Sequence, residues 1–403
     1  MVNFSKNKTF LAFCTLAFGL LFTFLLIKWQ IDNKNEPKQV SINVYNWGNH
    51  ISDGSSEHIN VNAEFERRTG IKVNYSTYQD NESLYAKIMS SATKYDVIIP
   101  SDYMVAKLIE KNMLRKMDFS KMPNTSTIDK EFLNPSYDPQ NEYSVPYTWG
   151  VVGIFYNKSL VSESPEEMDW DILWNPKYKG RIMMFENSPR DAFGIALMKL
   201  GLSINTIDPQ DLKKAAAEMA RQKPLIKGYV TDQVFEKIGI GEAALAPYYT
   251  DAYIVTSGSK DLGLAIPKGI TNKFVNAMCI CANSDHPDEA QQYINFICDI
   301  EIATENIKHV GYCTPQQAVR ERLDPEISQN KSLYPDKEIL SRSHTYENLP
   351  DETNALMNDL WLKTRIENNN SSKKFICILL GLFLVYLGLS ASKIIKKRKG
   401  NYT

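Results

Sequence analysis

The spacing of apolar and polar residues changes period repeatedly along the chain, and each change marks an element. Ser41-Ile-Asn-Val-Tyr-Asn-Trp47 alternates with period two, which predicts a strand, and Gly48-Asn49 closes it. Residues 62–69 switch to helical spacing with Phe65 inward, and Gly70 supplies a helix terminator. A second strand follows over 71–75, then a helix over 83–91 that buries Leu84 and Ile88. Val97, Ile98 and Ile99 form a continuous apolar run, the pattern of a strand covered on both faces. Pro100 has no N–H to give the ladder and stops it. Strand, helix, strand, helix, strand predicts an α/β lobe on a largely parallel sheet. Ser101 and Tyr103 then fall just past a strand's carboxyl end, where open α/β sheets hold ligands. The same position also suits Ser101 as an ordinary helix cap.

Beyond a helix over 105–111, residues 124–141 are polar and turn-rich. Residues 143–157 read as one long extended segment, able to carry the chain from one lobe to another. A short helix at 170–174 closes at Pro176, a strand spans 179–185, and helices follow at 192–200 and 209–222. A strand ends at Tyr248-Tyr249, and strands at 262–267 and 274–282 could return the chain to the first lobe. Helices over 287–297 and 302–310, the turn Gly311-Tyr-Cys-Thr-Pro315 and further helices complete the pattern to about residue 367.

The two ends are different in kind. Thr9 to Ile27 is almost wholly apolar and lies between Lys8 and Lys28. At a 1.5 Å rise per residue such a stretch nearly spans a bilayer's hydrocarbon core. No small-x-small cleavage site closes it, and Cys14 lacks the small residue expected before a lipid-modified cysteine, so the expectation is an uncleaved anchor. Phe375 to Ser392 is a second apolar span, followed by the basic tail 393–403. The positive-inside rule then puts both termini in the cytoplasm and the middle of the chain outside the cell membrane.

Composition narrows the classes. Lysine plus arginine number 46 against 47 acids, a net charge of −1. No basic stripe interleaved with aromatics runs through the middle, so no nucleic acid partner is expected. Cys279, Cys281, Cys298 and Cys313 lack a histidine-rich partner set for a metal and read mainly as buried small apolar residues, with a disulfide left open. Metalloprotease, nucleophile-elbow and phosphate-loop motifs are absent, and Ile238-Gly-Ile-Gly-Glu242 fits a turn better than a nucleotide loop. The expectation is a protein that is not an enzyme and uses no cofactor or metal.

Seven blocks come in order: Val44-Tyr-Asn-Trp-Gly48, Thr69-Gly-Ile-Lys-Val73, residues 95–103, Tyr143-Ser-Val-Pro-Tyr-Thr-Trp-Gly150, Trp174-Asn-Pro-Lys-Tyr-Lys-Gly180, residues 311–315 and Tyr334-Pro-Asp336. Together, over roughly residues 41 to 366, they resemble the spermidine/putrescine-binding proteins, extracytoplasmic receptors of polyamine ABC transporters. The resemblance implies a two-lobed periplasmic-binding-protein fold, type II-like, with a polyamine in the cleft and permease subunits as partners. It does not extend to the two apolar ends. A polyamine is an aliphatic chain bearing ammonium groups, so its receptor needs aromatic walls and carboxylate acceptors. Carried over by position, Trp47 and Tyr103 match an aromatic wall, Ser101 a polar contact, and His50 a loop position that is often aromatic. Tyr249 and Phe274 stand where tryptophans are common, Tyr312 matches an aromatic in its turn, and Tyr346 falls at a polar or tyrosine position. Asp191 matches the key carboxylate, though it equally suits a cap for the helix starting near Ala192. Ser188 and Asn276 depart from positions that often carry acids.

The expected organisation is an anchor over 1–29, a linker over 30–40, a first lobe of 41–149 plus about 264–312, and a second of 150–263 plus about 313–367. A spacer over 368–374, a transmembrane helix over 375–392 and the tail follow. The fold expectation is thus a two-lobed α/β protein flanked by an N-terminal and a C-terminal transmembrane helix. The functional expectation is a membrane-tethered polyamine receptor delivering ligand to a permease. A receptor for another small amine or amino-acid derivative, or a ligand-sensing module, is the alternative.

Overall fold

In the computed structural model, residues 18–19, 21–24, 28 and 39–366 are described, apart from 56, 91–92, 187, 231–232 and 251–259. Strand β1 (Ser41–Trp47) pairs in parallel with β2 (Lys72–Tyr78) on one side and with β3 (Val97–Ile98) on the other. Helix α1 (Val61–Thr69) crosses from β1 to β2, and α2 (Asn81–Met89) from β2 to β3. Local chemistry fixes these crossings. Asn60 accepts the Ala63 N–H at the start of α1, and Gly70 ends it at φ 74°, a left-handed conformation that costs glycine little. Asp80 caps α2 by accepting the Ser83 N–H at 2.7 Å. Helix α3 (Asp102–Glu110) leaves β3 directly.

The chain then passes through β4 (Ser144–Asn157), fourteen residues all buried. Its first half, Ser144 to Val151, pairs antiparallel with β9 (Thr271–Ile280), which itself pairs with β3. Its second half, Val152 to Tyr156, pairs with β7 (Leu245–Tyr249). Beyond β7 come β5 (Ile182–Phe185) and β6 (Ile226–Val230), while β8 (Leu262–Ala265) pairs with the end of β4. The hydrophobic core divides where β4 changes partners. Val145, Tyr147 and Trp149 pack with Ile42, Phe65, Leu84 and Leu108, whereas Val152, Ile154 and Phe155 pack with Trp170, Ile182 and Leu245. Strands β4 and β9 therefore join two lobes with separate cores, and burying each such side chain contributes roughly 1.5–3 kcal/mol.

The second lobe carries α4 (Pro189–Lys199), α5 (Pro209–Gln222) and α6 (Val234–Gly239). Helices α7 (Pro287–Ile297) and α8 (Ile300–Val310) pack back on the first lobe, and α9 (Asp351–Ile366) lies against α4 and α5. The edge strand β6 and helix α6 carry no clear period in sequence, because β6 is short, half-exposed and broken by Lys227 and Gly228.

Three expectations need correction. The expected fold class is cut back to its two-lobed α/β part: among the described residues no helix is long and apolar enough to cross a membrane. The span 375–392 and most of 9–27 lie outside the described residues. The boundary at 313 also moves, since Cys313, Leu333 and Tyr334 pack into the first core. Trp149 holds that segment there, its backbone N–H donating to Cys313 O and its indole to Thr314 O, both at 3.0 Å. Helix α4 begins at Pro189 rather than near 192, with Ser188 as its cap. Cys279, Cys281, Cys298 and Cys313 are all buried.

Candidate functional site

Between the lobes lies a cavity of about 250 Å³. Its first-lobe wall is made where β1, β2 and β3 end, because parallel strands expose their carboxyl ends and the following loops on one edge. Trp47 closes β1 and packs on Tyr78 at the end of β2, ring centres 4.6 Å apart. His50 turns back from the β1 loop, its Nδ1 3.0 Å from Gly48 O, and stacks on Tyr312 at 4.0 Å. Burial lowers the His50 pKa to about 4, so the ring is neutral at physiological pH.

Ser101 occupies the N-cap position of α3 but makes no capping bond with its side chain. Its hydroxyl instead donates to Asn276 Oδ1 at 2.8 Å. Asn276, on β9, donates through Nδ2 to Thr148 Oγ1 at 3.1 Å, so both ends of its amide are engaged with protein. Tyr103 follows on α3. Its hydroxyl accepts from Asn81 Nδ2 at 3.2 Å and donates to Glu82 Oε1 at 3.1 Å.

The second-lobe wall centres on Asp191 in the first turn of α4. Ser188 caps that helix by accepting the Asp191 N–H, and its hydroxyl donates to Asp191 Oδ2. Tyr249 donates to the same oxygen at 2.6 Å, and the Tyr346 hydroxyl, which donates to Arg190 O at 3.4 Å, lies close enough to help lower the carboxyl's pKa. Burial pushes the Asp191 pKa up, against the pull of these hydroxyls and of the neighbouring Arg190. Tyr346 is backed by the Arg190 guanidinium 4.4 Å from its ring centre. A Cβ at Gly194 would lie 2.1 Å from the Tyr346 hydroxyl oxygen, so only glycine lets that ring reach α4. Tyr249 meets Phe274 edge-on at 5.1 Å, and Phe185 at 5.3 Å.

All eleven residues singled out in the sequence thus line one cavity: Trp47, His50, Ser101, Tyr103, Ser188, Asp191, Tyr249, Phe274, Asn276, Tyr312 and Tyr346. The sequence reading missed Tyr78, Glu82, Asp102 and Phe185. Asp102 is 1% exposed and its Oδ2 has no hydrogen-bond partner. Burial raises its pKa to about 7, opposed by the backbone N–H groups of Tyr103 and Val275 and by Arg190. No lysine or arginine is among the described residues lining the cavity. Among the described residues, no group of acidic, histidine and cysteine side chains is arranged to hold a metal ion. Aromatic faces, hydroxyl-bound carboxylates and the lack of a basic group suit an elongated apolar cation.

The sequence signature of the bacterial extracellular solute-binding proteins matches residues 60–335. The spermidine/putrescine-binding periplasmic protein of Salmonella typhimurium is 33% identical over 324 residues, covering 80% of this chain and 90% of that protein. A solved structure described as a putative spermidine/putrescine ABC transporter from Listeria monocytogenes superposes with a TM-score of 0.75. It shares 32% identity, with 81% of this chain and 99% of that one covered. The spermidine/putrescine ABC transporter substrate-binding protein PotD from Streptococcus pneumoniae gives a TM-score of 0.70 at 34% identity, over 81% and 99% of the two chains. With its two lobes, its interlobe cleft and these relatives, the chain belongs to the spermidine/putrescine-binding family of bacterial extracellular solute-binding proteins.

Proposed function

We propose that this protein is the extracytoplasmic substrate-binding protein of an ABC transporter and that its ligand is a polyamine, spermidine or putrescine, held in the interlobe cleft. The observation that carries the reading is the cavity itself, walled by Trp47, Tyr103, Tyr249 and Phe274 and carrying the Asp191 carboxylate, with no basic side chain among the described lining residues. Methylenes lie against the rings, and an ammonium group exchanges its hydration for Asp191 and the hydroxyls around it. Closure of the lobes about β4 and β9 is then the change a permease reads before accepting the ligand. Relatives described as binding spermidine or putrescine support the ligand class.

A thermal-shift titration of the full chain tests this. A ligand that binds only the folded state stabilises it by RT ln(1 + [L]/Kd), about 2.7 kcal/mol at a hundredfold excess over Kd. Spermidine and putrescine raise the melting midpoint with concentration, while amino acids of similar size leave it unmoved. The reverse pattern refutes the polyamine assignment.

A further inference from the structure

The cleft needs more than one anionic partner for a ligand with two or more ammonium groups, and Asp191 supplies one from the second lobe. The rest of the lining does not supply the next from the opposite lobe. The β1 loop Gly48-Asn49-His50 carries no acid, and His50 is neutral. Asn276 has both ends of its amide engaged with Ser101 and Thr148. Asp80 caps α2 through Oδ1, Asp102 is 1% exposed, and Glu186, which also lines the cavity, follows β5 on the second lobe with Asp191.

Glu82 remains. It stands in the first turn of α2, lines the cavity and is open to solvent through the cleft. One of its oxygens takes the Tyr103 hydroxyl at 3.1 Å, and no other described residue donates a hydrogen bond to the second. Tyr103 in turn meets Tyr346 edge-on, ring centres 6.2 Å apart at 88°, and the Tyr346 hydroxyl, bonded to Arg190 O, stands beside Asp191. Glu82, Tyr103, Tyr346 and Asp191 therefore form a row across the cleft: carboxylate, ring, ring, carboxylate. Its ends suit ammonium groups and its middle suits the methylenes between them.

We propose that Glu82 is the second ammonium acceptor of this cleft and the residue that selects ligands with two or more amines over monoamines. The assignment rests on the polyamine reading above. Because Glu82 belongs to the first lobe and Asp191 to the second, a diamine held at both ends ties the lobes together, whereas a monoamine engages one lobe only.

Calorimetry on the full chain with putrescine and n-butylamine, which share four carbons but differ by one ammonium, decides the matter. Glu82→Gln lowers putrescine affinity tenfold or more, leaves butylamine affinity unchanged, and leaves the unliganded melting midpoint where it was. Glu82→Asp, which keeps the charge, retains the preference for putrescine. Putrescine affinity unchanged in Glu82→Gln overturns the Glu82 assignment alone, as does an equal loss for both ligands, which marks Glu82 as a positioner of Tyr103. A wild-type protein that binds no polyamine overturns both this assignment and the reading beneath it.

Discussion

Replacing Asp191 by asparagine separates what this carboxylate does for binding from what it costs the fold. The change is isosteric. Ser188 and Tyr249 reach the carboxylate through hydroxyls, and a hydroxyl can turn from donor to acceptor when it meets an amide N–H. Little packing or hydrogen bonding is lost. The charge is lost, and with it a charge-assisted bond to a ligand ammonium, worth about 1.5–3 kcal/mol. At about 1.4 kcal/mol per tenfold, polyamine affinity falls roughly 10- to 100-fold.

Stability moves the other way. Burial raises the Asp191 pKa in the folded protein above its ordinary value of 3.8, so the folded state holds this proton more tightly than the unfolded chain. The stability this gives is fully present below the ordinary value and is lost as pH rises through the folded one. An asparagine amide does not titrate, so at neutral pH the unliganded Asp191→Asn variant melts at or above the wild-type temperature. Isothermal calorimetry with spermidine and scanning calorimetry without ligand read the two effects. Unchanged affinity removes Asp191 from the ligand site. A fall in the unliganded melting temperature alongside the affinity loss shows that the carboxylate serves the fold, and refutes the reasoning.

Gly194→Ala drives a methyl group into the Tyr346 hydroxyl, so it destabilises the protein and weakens polyamine binding together, despite alanine's better helix propensity; circular-dichroism melts and calorimetry check it. Asn276→Asp places a charge in a 4% exposed position where the Ser101 and Thr148 hydroxyls can both donate, so spermidine binds more tightly while the unliganded protein melts lower. No gain in affinity would mean that no ligand ammonium comes near residue 276. The Asp102 pKa is raised to about 7, so its contribution to stability is full below pH 4 and lost as pH rises through 7. In urea titrations across that range, Asp102→Asn flattens the decline relative to wild type.

Much of the first lobe is legible in sequence because its signals are local. The Val97–Ile99 run, Pro100 and the terminator at Gly70 each act within a few residues. Ser101 is subtler: the sequence places it at a helix start, but its hydroxyl leaves the cap for Asn276, a partner 175 residues away. Glu82 escapes notice for a similar reason. In sequence it is one polar residue at a helix start, and only the packing of α2 against Tyr103 turns it into the cleft. Tyr78 and Phe185 do carry a signal, as aromatic residues closing strands whose carboxyl ends face the cavity. The expectation of membrane helices rests on apolar length and flanking basic residues, and no helix among the described residues is long and apolar enough to cross a membrane.

The want of any described basic residue in a cavity that holds Glu82 and Asp191 also bears on how fast a ligand arrives. A concave site of one sign, with low-dielectric walls, concentrates field lines and draws a cation from beyond contact range. Salt shortens that reach, to about 8 Å at physiological ionic strength, while contacts made inside the cleft are screened much less. Stopped-flow association should therefore slow steeply as salt is added, with dissociation almost unaffected. Association is then fastest at low ionic strength, where the field of the cleft reaches furthest.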